Sequence, residues 1–197
     1  MKLFFATHNL DKKKEIAYIL KSKFEVLYID DFEDYPDVDE TGTSTAENAI
    51  LKAEAGMNYT GLSSFADDTA LEVDALGGKP GIYTARFAGE NAAYRDNYIK
   101  LLSELEHIPL EKRTARFRTA IALLLKDREP QIFEGICEGR IVLEPEGENG
   151  FGYDPVFRPL GYEDTFASMN PELKNKISHR AQAVKHFTDY LNSIDGA

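Results

Sequence analysis

The chain opens on an apolar run, residues 2–6, that stops at the polar turn Thr7-His8-Asn9. Residues 12–22 then place Ile16, Ile19 and Leu20 on one helical face. Asn9 or Asp11 stands where a cap for that helix belongs. A second strand pattern follows at residues 24–29. Strand, helix and strand at this spacing close as a parallel pair joined by a right-handed crossover. An α/β fold is expected from these residues alone.

The rest of the chain extends that plan. A helix is expected over residues 45–57, then a short strand over 63–66 that ends at Asp67-Asp68. Gly77-Gly78-Lys79-Pro80-Gly81 reads as a turn. Residues 91–105 read as a helix with Tyr94, Tyr98, Leu101, Leu102 and Leu105 available for burial. Residues 114–125 and 131–136 look like long neighbouring strands, with a third at 140–143. The last helix is expected over 178–191, with Ser178 as its N-cap and Val184, Phe187 and Leu191 on one stripe. The result is a mixed sheet with a second lobe formed by the middle strands. No repeat, low-complexity tract or Ser/Gly linker interrupts it, so residues 1–197 read as a single domain of two lobes.

Charge and composition narrow the function. The net charge is −11, so a whole-surface binder of DNA or RNA is not expected. A small polyphosphate needs only a local group of cations and a metal ion. The acidic run over residues 30–40 reads as a solvated loop, apart from Glu40. Cys137 is the only cysteine, so no intrachain disulfide forms, which suits the cytoplasm. No apolar run approaches the roughly 20 residues that span a bilayer. The opening apolar run is too short for a signal-peptide core.

Four clusters carry chemistry-bearing groups, each with a plainer structural alternative. Thr7-His8-Asn9-Leu10-Asp11-Lys12 lies between a strand and a helix, where free backbone N–H groups and Lys12 suit phosphate. The alternative is a capped turn, and the glycines of a Walker A loop are missing. Ala66-Asp67-Asp68-Thr69 sets two carboxylates together, which calls for a cation; an Asx turn is the alternative. Glu40 and Glu47-Asn48 are further candidate ligands. Gly150-Phe151-Gly152-Tyr153-Asp154-Pro155 combines close-approach glycines with stacking faces, or is a Gly-rich turn with core aromatics. Lys174 and Ser178-His179-Arg180 put cations at the start of the last helix, where they oppose its dipole unless an anion or carbonyl oxygen lies above it. The four histidines are too scattered for a zinc site, and Cys137 has no neighbour to activate it.

Together, and in this order, these blocks resemble the inosine triphosphate pyrophosphatase family. Its opening Thr-Gly-Asn-x-x-Lys-x-x-Glu appears as Thr7-His8-Asn9-Leu10-Asp11-Lys12-Lys13-Lys14-Glu15. Its later blocks appear as Glu40-Thr41-Gly42, Glu47-Asn48-Ala49-Ile50-Leu51-Lys52-Ala53 and Ala66-Asp67-Asp68-Thr69-Ala70-Leu71. Leu76-Gly77-Gly78-Lys79-Pro80-Gly81-Ile82-Tyr83-Thr84-Ala85-Arg86, the Gly150 block and Ile177-Ser178-His179-Arg180 complete the likeness, which spans nearly the whole chain.

The resemblance implies an elongated two-lobed α/β mixed-sheet fold, shared with Maf-like proteins, and an active site in the cleft between lobes. It implies a homodimer that hydrolyses ITP, dITP or XTP to the monophosphate and pyrophosphate, with Mg²⁺ as cofactor. Thr7, His8, Asn9, Leu10, Asp11 and Lys12 would hold phosphates with Lys52, and Thr69 would touch the substrate. Glu40, Asp67 and Asp68 would bind the metal, and Asp68 would act on the water. Phe151, Gly152, Tyr153, Asp154, Lys174, His179 and Arg180 would hold the nucleoside, with Lys174 or Arg180 aimed at the C6 carbonyl. His8 departs from the family's usual Gly, Ala70 stands for a Gly, and Thr45 for a common aromatic. The rival expectations are a Maf-type pyrophosphatase for pyrimidine or modified nucleotides and a non-catalytic nucleotide sensor.

Overall fold

The computed structural model describes residues 1–20 and 24–195. The expected helix end near Ser22 lies outside them. Strand β1 (Lys2–Phe5) pairs in parallel with β2 (Glu25–Tyr28), with Lys2 opposite Glu25 and Phe5 opposite Tyr28. Helix α1 (Leu10–Leu20) joins them, as the opening residues predict. Helix α2 (Thr45–Thr60) leads to β3 (Ser64–Val73), which pairs in parallel with β1 on its other side. A two-residue strand β4 (Pro80–Gly81) turns back antiparallel on β3. Helix α3 (Tyr94–Glu104) precedes β5 (Thr114–Leu124), β6 (Gln131–Ile141) and β7 (Phe157–Pro159). Helices α4 (Pro171–Ile177) and α5 (His179–Asp195) close the chain. Among the described residues the strand order is β2-β1-β3-β5-β6-β7, a mixed sheet in an α/β fold.

Several boundaries correct the sequence reading. The strand read as ending at Asp67-Asp68 continues through both acids to Val73. Two adjacent acids look like a terminator, but here buried cations satisfy them inside the strand. The separate strand expected over 140–143 is absorbed by β6, which runs unbroken to Ile141. Helix α3 starts at Tyr94 rather than at 91, because Ala93 is extended and Ala92 is held in a turn by Gly89. Helix α4 was not foreseen, although Asn170 caps it by accepting from the Glu172 N–H at 2.8 Å and Pro171 begins it. Ser178, in extended backbone, ends α4 by donating its N–H to the Lys174 carbonyl and directly precedes α5 at His179, the N-cap position expected for it. The acidic run is more than a solvated loop. Its carboxylates are largely exposed, but Phe32 and Tyr35 pack on Phe4 with centroids at 5.3 and 5.4 Å.

The chain divides into two compact units. The first comprises Met1–Asp68, Thr119–Gly135 and the residues from Arg180 on. Here β1 is buried on both faces, as a parallel strand between helices must be. Leu3 and Phe5 join Ile16, Leu20, Phe65, Val184, Phe187 and Leu191 on one side. Phe4 and Ala6 join Ala49, Ala53, Ala66 and Ala122 on the other. Gly56 lets α2 approach closely, since a Cβ there would lie 2.8 Å from the Phe4 ring. The second unit comprises Thr69–Arg118 and Ile136–His179. Its core gathers Leu71, Leu101, Leu105, Phe117, Phe157, Phe166 and Met169. Arg113 is buried there and satisfied by the carbonyls of Leu105, Ile108 and Val142.

Candidate active site

Strand alternation decides what the paired acids meet. Successive side chains of a strand point to opposite faces. Phe65 packs with α1 and α5, so Asp67 faces the same way; Ala66 packs with α2, so Asp68 does too. Asp67 is fully enclosed, and Lys12 Nζ lies 3.1 Å from its Oδ2. Arg180 Nε donates to the same oxygen at 3.3 Å. Arg180 also pairs with Glu15, one helical turn beyond Lys12. This resolves the expected clash with the dipole of α5: two carboxylates neutralise the cation in its first turn.

Asp68 meets the other face. Lys52 Nζ lies 3.2 Å from its Oδ1 and 2.7 Å from Glu40 Oε1. Asn48, one turn before Lys52 on α2, donates to Asp68 Oδ2 at 3.4 Å. Its Oδ1 accepts the Gly42 N–H at 2.8 Å, which ties the Glu40-Thr41-Gly42 loop to the helix. Helix α2 itself is fixed at its start by Ser44, which accepts from the Glu47 N–H. Glu47 accepts from the Thr43 N–H and hydroxyl, so it serves the helix cap rather than the Asp68 group.

The electrostatics follow from burial. Burial alone would raise Asp67, but Lys12, Arg180 and Lys52 outweigh it and hold it at about 2. Burial raises Asp68 above the ordinary carboxylate value, and Glu40 and Asp67 add to that against Lys52 and Lys12. Burial lowers Lys12, with Lys52 and Arg180 adding to it. Lys52 is raised, because Asp68, Glu40 and Asp67 outweigh its burial. Asp68 is thus the better proton acceptor of the two acids near neutrality.

The turn before α1 is a capped strand–helix turn, the plainer of the two readings its sequence allows. Asn9 Oδ1 accepts the N–H groups of Asp11 and Lys12 at 3.0 and 3.1 Å, capping α1. Thr7 Oγ1 accepts from the Asn9 N–H at 3.3 Å. Leu10 is exposed, and Asp11 lies 3.5 Å from Lys14. His8 faces the acidic run, with Nε2 3.4 Å from Asp37 and its ring 6.0 Å from that of Tyr35.

The second unit holds the remaining candidates. Lys174 Nζ lies 2.6 Å from Asp154 Oδ2, and both side chains are buried. The same oxygen accepts the Phe151 N–H at 2.8 Å. Lys174 Nζ stands 5.1 Å over the Phe151 ring and 5.7 Å over Phe166. Gly150 has φ of 75°, and a Cβ on it would lie 1.9 Å from Asp154 Oδ2, so only glycine fits. Tyr153 is buried and donates its hydroxyl to the Thr84 carbonyl at 2.9 Å. His179 stacks on Phe117 at 4.4 Å. Thr69 is half-buried in β3, and Gly152 takes a positive φ of 64°. The two cations expected to read the base therefore have different company: Lys174 has Asp154 and Phe151, whereas Arg180 has Asp67 and Glu15. Asn48 and Glu15 carry more of the site than their sequence suggested. Their signal was spacing, one helical turn from Lys52 and Lys12.

No group of three or more His, Cys, Asp or Glu side chains gathers as a metal cage among the described residues. The donor set still suits a hard cation that brings its own oxygen ligands. Mg²⁺ takes one or two protein carboxylates, with water and phosphate oxygens for the rest. Glu40 and Asp68 are two such carboxylates on one amine. Asp67 faces the other way from Asp68, yet its Oδ1 is buried without a hydrogen-bond partner among the described residues.

The chain is similar to known proteins along nearly its whole length. A protein called dITP/XTP pyrophosphatase from Desulforamulus reducens is 48% identical over 195 residues, covering 98% of this chain and 97% of that protein. One of the same name from Christiangramia forsetii is 46% identical, covering 98% of this chain and 100% of its own. The structure of a HAM1 protein from Coxiella burnetii matches with a TM-score of 0.89 at 37% identity, over 98% of this chain and 99% of that one. The model of the Ham1 family matches residues 3–190, so the acids of β3, the capped turn before α1 and the Gly150 loop all fall within the match, and the chain belongs to that family.

Proposed function

We propose that this chain hydrolyses non-standard purine nucleoside triphosphates, dITP, ITP and XTP, to the monophosphate and pyrophosphate. The observation that carries the reading is Asp68: a buried carboxylate with raised proton affinity, held between Lys52 and Asn48. The names of the relatives support the substrate class.

In this reading Asp68 orients a water and takes its proton as the water oxygen bonds to the α-phosphorus. The bond from that phosphorus to the bridging oxygen breaks, and pyrophosphate leaves with the electron pair. General-base help of this kind is worth about 10²–10⁴-fold. Lys12 and Lys52 hold the phosphates. Glu40 and Asp68 would hold Mg²⁺, and Asp67 is next to Asp68 in the chain. The ion would supply charge neutralisation for the polyphosphate. Phe151 gives the base a stacking face, and Lys174 beside it is a donor for a C6 carbonyl. Adenine presents an amine there and would meet that donor unfavourably. Arg180 holds Asp67 and Glu15 in place.

Retention of Asp68 with its raised proton affinity favours an enzyme over a nucleotide sensor, and Lys174 beside Phe151 favours a purine over a Maf-type substrate. No helix among the described residues is long and apolar enough to cross a membrane. The proposal includes a homodimer acting in the cytoplasm, and a dimer mass by light scattering is expected. The deciding assay is pyrophosphate release from dITP, ITP, XTP, ATP, GTP, UTP and CTP, with Mg²⁺ and with excess chelator. Turnover of the first three in Mg²⁺ alone is expected. Equal turnover of ATP, or full activity in chelator, would overturn the substrate class or the metal.

A further inference from the structure

Tyr94 belongs to none of the blocks that carry the family likeness, yet its ring lies against that of Phe151, with centroids 5.8 Å apart at 46°. Tyr94 is the first residue of α3 and is 43% exposed, so burial in the core does not explain its placement. Its neighbours hold it firmly. Asp96 accepts from the Ala93 N–H at 2.9 Å and fixes the first turn of the helix. Asn97, fully buried, accepts from the Ala88 N–H at 2.7 Å and donates to the Ala85 carbonyl at 3.0 Å. Lys100 donates to the Phe87 carbonyl at 2.7 Å.

The loop that carries Phe151 is tied to the same short segment. Tyr153 donates to the Thr84 carbonyl, and the Thr84 hydroxyl in turn accepts from the Leu71 N–H at 2.8 Å. Residues 84–88 therefore anchor both the turn bearing Tyr94 and the loop bearing Phe151. Phe151 has Lys174 over its ring, its backbone N–H on Asp154, and Tyr94 against it. Gly150 and Gly152 flank it, both at positive φ, so neither neighbour offers a side chain for its ring to pack on.

We propose that Tyr94 is a positioning residue for the base: it holds the Phe151 ring in the orientation on which a purine stacks. This rests on the reading of Phe151 as the stacking face. An aromatic pair contributes enough to shift affinity about three- to tenfold. Loss of Tyr94 should therefore weaken recognition of the base without touching the chemistry at Asp68.

The test compares kcat and KM for dITP and XTP in the wild type, Tyr94→Ala and Tyr94→Phe, with inorganic tripolyphosphate as a competitive inhibitor that has no base. Tyr94→Ala is expected to raise KM about three- to tenfold with kcat within about twofold. Tyr94→Phe, which keeps the ring, should restore KM. The inhibition constant of tripolyphosphate should not move. In a Phe151→Ala background the further change to Tyr94→Ala should add almost nothing, because its route to the base is already gone. An unchanged KM in Tyr94→Ala, an equal rise in the tripolyphosphate constant, or additive losses in the double variant would each overturn the role of Tyr94 alone. A wild type inert towards both nucleotides would overturn the function and this role with it.

Discussion

Around Asp67 and Asp68, in the first unit, the buried Arg180 and the largely enclosed Lys12 and Lys52 interleave with the carboxylates of Glu15 and Glu40. Around Asp154, in the second, a buried ion pair with Lys174 sits among the rings of Phe151 and Phe166. The first is a network in which Asp67 is shared by two cations and Lys52 by two carboxylates. The second is an ion pair closed in by rings, where loss of either partner strands a buried charge. The difference teaches that similar residue types build different surroundings: shared charges around Asp67 and Asp68, and a single ion pair enclosed by rings around Asp154.

Substitutions should separate the two regions. Asp68→Asn is expected to lower kcat by about 10²–10⁴-fold while leaving unfolding by urea unchanged or slightly later. Burial already disfavours the charge that the change removes, so the folded state loses little. Near-normal turnover by the folded variant would remove Asp68 from the mechanism and the contrast with it.

Lys174→Met is the matching change in the second unit, and its cost should appear as stability, about 3–5 kcal/mol. Cys137 offers a local readout. Burial pushes its thiol up to about 12, and it packs in the same core as Phe166. The native protein should therefore resist alkylation at pH 8. Lys174→Met should label at least tenfold faster, as the second unit opens more often. Unchanged labelling would show that the Asp154 pair does not hold that unit together.

How much of this was legible in the sequence depends on distance along the chain. The opening strand, helix and strand rest on local rules and are found as read, except that the helix starts at Leu10, and of the two caps the sequence allows it is Asn9 that caps it. The stripe of Val184, Phe187 and Leu191 is fully buried for the same reason. The end of β3 was misjudged because Asp67 looks unfit for a strand interior until its partners are known. Lys12 is 55 residues away and Arg180 is 113. The divergence of Asp67 and Asp68 was legible in principle from the period of two, once the strand was known to continue through them. The tie between Asp154 and Lys174 could not be read, since nothing local says which of many lysines folds back onto that loop. The helical spacing of Tyr94 makes it available for burial, whereas it stands half exposed against Phe151.

The smallest expected effect concerns acid. Asp67 sits at about 2 in the folded chain against an ordinary 3.8, because Lys12, Arg180 and Lys52 outweigh its burial. A carboxylate depressed by folding stabilises the native state above its unfolded value, and that stability is lost as the pH falls through the folded value. Here the contribution is complete above about pH 4, fades between there and about pH 2, and amounts to about 2 kcal/mol. Asp67→Asn removes it at every pH and leaves Lys12 and Arg180 short of a partner, so the variant is less stable near neutrality. The gap between wild type and variant should then narrow by about 2 kcal/mol from pH 5 to pH 2, measured by urea unfolding in chelator. Parallel stability curves across that range would mean that Asp67 is not held ionised by its cations, and that the charge network of the first unit is no more tightly coupled than the ion pair of the second.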